Sequence, residues 1–121
     1  ILSVHSFTES WKGTPRPWHA GVLWGEDARL AGPLFEALCA ENDLIVGANE
    51  PYAGQLVGDT LWQHGTQRGL AHAIIEIRQD LIREENGQAA WAERLARIMR
   101  ELMESPDLRF CLKKPRETKP C

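Results

Sequence analysis

The stretch Ile74-Ile75-Glu76-Ile77-Arg78-Gln79-Asp80 decides the fold, because three isoleucines around a carboxylate predict a buried strand that carries charge. Side chains alternate faces along a strand, so Glu76, Arg78 and Asp80 are expected to point the same way. A carboxylate this close to buried surface is costly unless a partner or a reaction uses it. Glu76 is therefore the first candidate for a functional residue.

Apolar strands alternate with helices over the rest of the chain. Four strands are predicted, at residues 2–7, 20–24, 43–47 and 71–77. A helix is predicted at about 32–41, a helical turn at 60–67, and a long amphipathic helix marked by Trp91, Leu95, Ile98 and Leu102. This alternation predicts an α/β fold, with a layered, mainly parallel or mixed sheet flanked by helices.

The composition excludes several classes of protein. The 121 residues suit one domain, and the net charge of -3 comes from interspersed acids and bases, without the basic stripe typical of nucleic-acid binders. No apolar run approaches the roughly 20 residues that span a bilayer. Cys39, Cys111 and Cys121 are odd in number and widely spaced, which favours a reducing cytoplasm over a disulfide framework. Cys39 is expected to pack as a small buried residue.

A functional site is predicted where the strands end. In open α/β sheets, binding and catalytic residues gather in the loops beyond the carboxyl ends of the strands. His5 and Ser6, Asn49 and Glu50, and residues 78–80 all fall at or just past the ends of predicted strands. We expect these ends to converge on one edge of the sheet.

Four segments resemble the N-formylglutamate amidohydrolase family and occur in that family's order, at residues 3–8, 16–23, 46–54 and 75–82. They read Ser-Val-His-Ser-Phe-Thr, Arg-Pro-Trp-His-Ala-Gly-Val-Leu, Val-Gly-Ala-Asn-Glu-Pro-Tyr-Ala-Gly and Ile-Glu-Ile-Arg-Gln-Asp-Leu-Ile. The resemblance extends from residue 1 to about 103. It implies that residues 1–104 are the C-terminal part of a single amidohydrolase domain, followed by a C-terminal tail at 105–121.

The resemblance also implies a larger parent protein. Family members are longer than this chain, which opens on Ile1 without a methionine, inside a predicted strand. We expect it to be the C-terminal portion of a longer reading frame, with an edited start as the alternative. The family is similar in fold to zinc carboxypeptidases and aspartoacylases. The implied phosphorylase/hydrolase-like sheet would therefore be incomplete at its N-terminus.

That similarity in fold implies a Zn²⁺ site. Such enzymes use a His and a Glu from an early motif and a later His at a strand end, which His5 matches. Ser6 or Thr8 would orient its loop, and the alternative for His5 is a strand-end histidine bonded to a backbone carbonyl. The early pair has no counterpart here, and a catalytic zinc takes three protein ligands. This chain alone is expected to bind zinc weakly or not at all.

The same resemblance gives Glu76 and Arg78 their roles. Glu76 would be the general base that takes a proton from the attacking water and passes it to the leaving nitrogen. The alternative is a structural ion pair between Glu76 and Arg78. Arg78 would hold a substrate carboxylate in its planar fork, or equally fix Glu76 or Asp80.

Four further residues are candidates for substrate binding. Asn49 and Tyr52 share a loop near the predicted site and could contact the substrate. Arg16 is a candidate for binding an anion. His64 would stabilise an oxyanion or contact substrate, and a plain surface histidine is its alternative.

These roles together imply a zinc-dependent amidohydrolase that converts N-formyl-L-glutamate to formate and L-glutamate in the cytoplasm. Its partner would be a small N-acyl amino acid, with no nucleic acid and no membrane; the residues leave the oligomeric state open. Another N-acyl amino acid deacylase or a carboxypeptidase-like hydrolase is the first alternative. A catalytically incomplete fragment that acts as a binding module is the second.

Overall fold

The computed structural model describes residues 1–54 and 57–106, which form a sheet, two long helices and several short elements. The strands are β1 (Leu2–Phe7), β2 (Ser10–Trp11), β3 (Thr14–Pro15), β4 (Ala20–Leu23), β5 (Val46–Ala48) and β6 (Ala73–Arg78). The helices are α1 (Ala31–Cys39) and α2 (Glu85–Glu104), with a π-helical turn at Trp62–Thr66 and a 3₁₀ turn at Gln79–Ile82. None of the helices in these ranges is long and apolar enough to cross a membrane.

The main sheet has four strands in the order β1-β6-β4-β5, and β2 pairs with β3 in a separate hairpin. β1 runs parallel to β6, and β4 runs parallel to β5, whereas β4 and β6 are antiparallel. The predicted α/β class with a mainly parallel or mixed sheet is confirmed, and the sheet is mixed. The stretch that opened the sequence analysis is a central strand, β6, as its isoleucines indicate.

Both long helices pack on one face of this sheet. Ala73, Ile75 and Ile77 of β6 point toward them and are almost fully buried. The other members of this core include Ala20, Val22, Leu34, Leu38, Trp91, Ile98 and Leu102. The spacing of Trp91, Ile98 and Leu102 places them on one stripe of α2, and burying each large side chain contributes about 1.5–3 kcal/mol.

Most boundaries differ slightly from those predicted: β4 ends at Leu23, β6 spans Ala73–Arg78 and α1 spans Ala31–Cys39. The strand expected at 43–47 lies at Val46–Ala48, because the N–H of Leu44 turns back to the carbonyl of Glu41 and the N–H of Ile45 bonds the His19 ring. α2 begins at Glu85, in a polar first turn that carries no apolar marker.

The prediction that Cys39 is buried is wrong. Leu34 and Leu38 occupy the buried face of α1, and Cys39 follows Leu38 by one residue, which turns it about 100° around the helix into solvent. Cys111 and Cys121 lie outside the described residues, as does most of the predicted tail.

Candidate active site

A row of four residues crosses the sheet on the face opposite the helices. In the register of the strands, His5 is the neighbour of Glu76, Glu76 faces Gly21, and Gly21 lies beside Gly47. Residues paired in this way point to the same side of a sheet. The row therefore places an imidazole and a carboxylate side by side, followed by two positions without side chains.

The two glycines allow the loop after β5 to lie on the sheet. A Cβ atom at Gly21 would collide with the carbonyl oxygen of Glu50, and one at Gly47 would come within 2.7 Å of the Glu50 Cβ. The peptide bond between Glu50 and Pro51 is cis. This loop covers the glycine half of the row.

Glu76 is the unusual member of the row. It is 7% exposed, and its Oε2 atom is buried with no hydrogen-bond partner among the described residues. Burial raises the pKa of this carboxyl group, and the charges of His5 and Arg16 oppose that rise. The structural ion pair with Arg78 is not formed. A buried carboxylate without a partner is suited to accepting and releasing a proton.

His5 lies exposed at the edge strand of the described sheet, beside Glu76. Its Nε2 atom is 2.8 Å from the Oγ of Ser3, which fixes the ring over the same face. Ser3 is thus a partner of the His5 ring that the sequence analysis did not name, and an orienting role of Ser6 or Thr8 stays a prediction. The alternation of side chains along a strand could have found this partner, because Ser3 and His5 are two residues apart.

Arg16 is enclosed by aromatic rings. Its guanidinium carbon lies 5.8 Å from the ring centre of Phe7, 5.6 Å from that of Trp11 and 5.2 Å from that of Tyr52. Nη1 also donates to the Tyr52 hydroxyl over 3.3 Å. The structure therefore brings two predicted substrate-binding residues, Arg16 and Tyr52, together. No local pattern could have found the rings, since they come from distant parts of the chain.

Arg78 is bonded within the protein. Nε donates to Asp80 over 2.6 Å and Nη2 donates to it over 3.1 Å, while Nη1 lies 3.2–3.4 Å from the carbonyls of residues 16–18. Asp80 has a lowered pKa, mainly because of its hydrogen bonds from Arg78. Of the alternatives for Arg78, the pair with Asp80 is the one formed; contact with a substrate stays a prediction.

The expected convergence of strand ends on one edge is wrong for Asn49. β5 runs opposite to β6, so its carboxyl end lies toward the amino end of β6. There Asn49 adopts a positive φ of 53°, and its Oδ1 accepts the N–H of Trp24 over 2.9 Å, which anchors the loop that returns Tyr52 across the face. Substrate contact by Asn49 stays a prediction.

His64 is not brought to the other candidates. It is exposed in the π-helical turn, whose Gly65 packs against His72 just before β6. His72 precedes Glu76 by roughly 13 Å of extended strand. Any role of His64 in substrate binding stays a prediction.

The donors on this face suit zinc in kind but not in number. The imidazole of His5 and the carboxylate of Glu76 are zinc-binding groups, and a catalytic zinc takes three protein ligands. Within residues 1–54 and 57–106, no group of three or more His, Cys, Asp or Glu side chains could hold a metal ion. The described residues alone therefore do not build a complete zinc site.

Comparison with known proteins assigns the chain to a family whose description is that of amidohydrolases, a class of hydrolases. A family model described as N-formylglutamate amidohydrolase matches residues 1–83, and the chain belongs to this family. No match is found among the curated proteins.

A solved structure has a similar fold. The crystal structure of gene product Atu2144 from Agrobacterium tumefaciens is similar, with a TM-score of 0.73 and 37% sequence identity. The similarity covers 84% of this chain and 41% of that chain. This chain thus spans less than half the length of that relative.

Proposed function

We propose that this chain carries the proton-transfer residue of a zinc-dependent amidohydrolase that converts N-formyl-L-glutamate to formate and L-glutamate. The observation that carries the proposal is the buried, partnerless Oε2 of Glu76 beside His5. The family gives the reaction class, and the choice of substrate follows the family's description.

Glu76 is the general base of the proposed reaction. Its raised pKa suits it to take a proton from the water that attacks the formyl carbonyl. The same carboxyl group then delivers that proton to the nitrogen as the amide bond breaks. Acid–base help of this kind contributes roughly 10²–10⁴-fold in rate.

His5 is the proposed zinc ligand of this chain. Ser3 holds its ring beside Glu76, and the remaining ligands come from outside the described residues. Zinc, when bound, lowers the pKa of a water molecule to about 7 and polarises a carbonyl group.

Arg16 is the proposed contact for the substrate's α-carboxylate. It lies close enough to Glu76 for its charge to oppose the rise in that residue's pKa. Tyr52 and Thr8 fix the guanidinium from one side. A cation placed beside the base would hold the substrate with its amide near Glu76.

Formate release from N-formyl-L-glutamate tests the proposal, measured with the longest natural reading frame that contains this chain, with and without a zinc chelator. Glu76→Gln should lower turnover by roughly 10²–10⁴-fold. Glu85→Gln, in the exposed first turn of α2, is the matched control and should leave turnover unchanged. Folded, zinc-loaded protein that releases no formate would contradict the proposal.

A binding module without catalysis is the second candidate. The small number of metal donors among the described residues favours it. It requires saturable binding of N-formyl-L-glutamate with no formate release, whether or not zinc is present. A third outcome, release of other acyl groups but not formate, would assign the site to a different N-acyl amino acid deacylase.

A further inference from the structure

A groove of about 410 Å³ opens beside Arg16, on the side away from the sheet core. The β2–β3 hairpin forms one wall, and Trp18 and Pro51 contribute to the rest. Its volume is in the range of small-molecule sites. Arg16 lines this groove, and its charge also opposes the rise in the pKa of Glu76.

The ionisable residues that line this groove are both cations. Lys12 and Arg16 contribute positive charge, and no carboxylate from residues 1–54 or 57–106 lines the groove, although the chain as a whole has a net charge of -3. Lys12 is exposed and forms no ion pair among the described residues. The remaining walls, built largely by Trp11 and Trp18, would contact the apolar part of a ligand.

The position of Lys12 is set by the hairpin turn. Lys12 and Gly13 occupy the two turn positions with φ values of 50° and 79°, which is the backbone of a tight two-residue hairpin. Arg16 follows the hairpin, and its N–H bonds back to the carbonyl of Glu9. Lys12 and Arg16 therefore stand at two separate points of one groove wall.

We propose that this groove receives the substrate's side chain and that Lys12 selects an anionic side chain over a neutral one. The inference rests on the proposed function, in which Arg16 takes the α-carboxylate next to the scissile amide. Lys12 then takes the second carboxylate of an N-acylated dicarboxylic amino acid. Lys12 is a specificity residue in this arrangement and takes no part in proton transfer.

The test compares L-glutamate with L-glutamine, which have the same shape and differ in side-chain charge. Each is titrated into the 121-residue chain in the presence of a chelator, and binding is followed by NMR shifts of the tryptophan indole groups. The chain should prefer glutamate. Lys12→Gln should weaken glutamate binding by about fivefold and leave glutamine binding unchanged. Lys12→Arg should preserve the preference.

Arg100→Gln is the matched control, because it removes one exposed positive charge from α2. It should leave both affinities unchanged. Equal binding of glutamate and glutamine, equal weakening of both by Lys12→Gln, or no saturable binding at all would each overturn the proposal.

This experiment needs neither zinc nor turnover, so it separates the two proposals. A chain that distinguishes glutamate from glutamine through Lys12 but releases no formate contradicts the proposed reaction and supports the groove. Formate release with no effect of Lys12 on binding supports the reaction and overturns the groove.

Discussion

Two sites near opposite ends of β6 contain buried charged side chains, and they differ in whether those side chains are hydrogen-bonded. Before the strand, Asp27, Arg29 and His72 are each 1% exposed, and Arg29 donates to Asp27 through Nε, over 3.0 Å, and Nη2, over 2.7 Å. Toward the other end, Glu76 is nearly as hidden, yet its Oε2 has no hydrogen-bond partner among the described residues. One group is bonded on its buried side, and the other is not.

The pKa values of the two carboxyl groups are shifted in opposite directions, although burial works to raise both. For Asp27 burial is the largest single cause, but the hydrogen bonds and charge of Arg29, together with the charge of His72, outweigh it, and that pKa is lowered. Burial also raises the pKa of Glu76, and no hydrogen bond on Oε2 counters it. A satisfied buried charge supports the fold, whereas an unsatisfied one is a feature of reactive sites.

The largest loss of stability should come from removing Asp27 from its buried cluster with Arg29 and His72. Asp27→Ala leaves the Arg29 guanidinium buried without its carboxylate, which should lower the free energy of unfolding by about 3–5 kcal/mol. Urea denaturation measures this change. Asp43→Ala, which removes an exposed partner of Arg94, is the control and should barely shift the midpoint. A similarly small shift for Asp27→Ala would remove the contrast with Glu76.

The second largest loss of stability should come from a clash with the loop after β5, which lies over Gly21 and Gly47. Gly21→Ala places a methyl group against the Glu50 carbonyl and should cost about 1–3 kcal/mol of stability. Gly32→Ala is the matched control, since its Cβ meets nothing within 4 Å and alanine suits helix α1. It should leave the protein as stable or slightly more stable. Equal denaturation midpoints for the two variants would show that the loop moves away from the added methyl group without a loss of stability.

The burial of the Glu76 carboxyl group could be predicted from the sequence, and the buried cluster of Asp27, Arg29 and His72 could not. Side chains alternate between the two faces of a strand, and this pattern is local in the sequence. The three isoleucines around Glu76 are therefore enough to predict a buried carboxylate. His5 and Arg78 likewise follow from the ends of predicted strands. The four strands of the main sheet and both helices were predicted on the same local grounds, with small errors at most boundaries and the largest at β5.

Part of what sequence reasoning missed depends on contacts between distant segments. Asp27 and Arg29 are only two residues apart, but their loop has no periodicity that predicts its burial, and their link to His72 exists only once β6 is in place. The rings around Arg16 come from β1, the hairpin and the loop after β5. The reversed direction of β4 and β5 is equally invisible in a local pattern, and it is why Asn49 lies away from the predicted edge.

Glu76→Gln should stabilise the fold while it abolishes the proposed chemistry. The amide has nearly the shape of the carboxylate, and it removes a buried charge that lacks a hydrogen bond. We expect a gain of about 1 kcal/mol in the free energy of unfolding at neutral pH. A loss of stability at neutral pH would mean that the Glu76 charge is compensated, contrary to the comparison above.

The smallest effect is the pH dependence of the stability gained in Glu76→Gln. Its sign distinguishes the carboxyl group of Glu76 from that of Asp27. The folded pKa of Glu76 is raised above its unfolded value of about 4.3, so folding penalises the ionised form. The penalty is complete above the folded pKa. It fades as the pH falls through that value and vanishes below about 4.3. The advantage of Glu76→Gln over the wild type should therefore shrink on acidification.

Asp27 behaves in the opposite sense, because its folded pKa is lowered. Its contribution is present above the unfolded value of about 3.9 and is lost as the pH falls further through the folded pKa. Both the wild type and Glu76→Gln retain Asp27, so this loss cancels when their unfolding free energies are subtracted at each pH. The subtraction isolates the Glu76 carboxyl group. A difference that stays constant from neutral pH to pH about 4 would mean that this carboxyl group titrates as in the unfolded chain, and the distinction between a satisfied and an unsatisfied buried charge would fail.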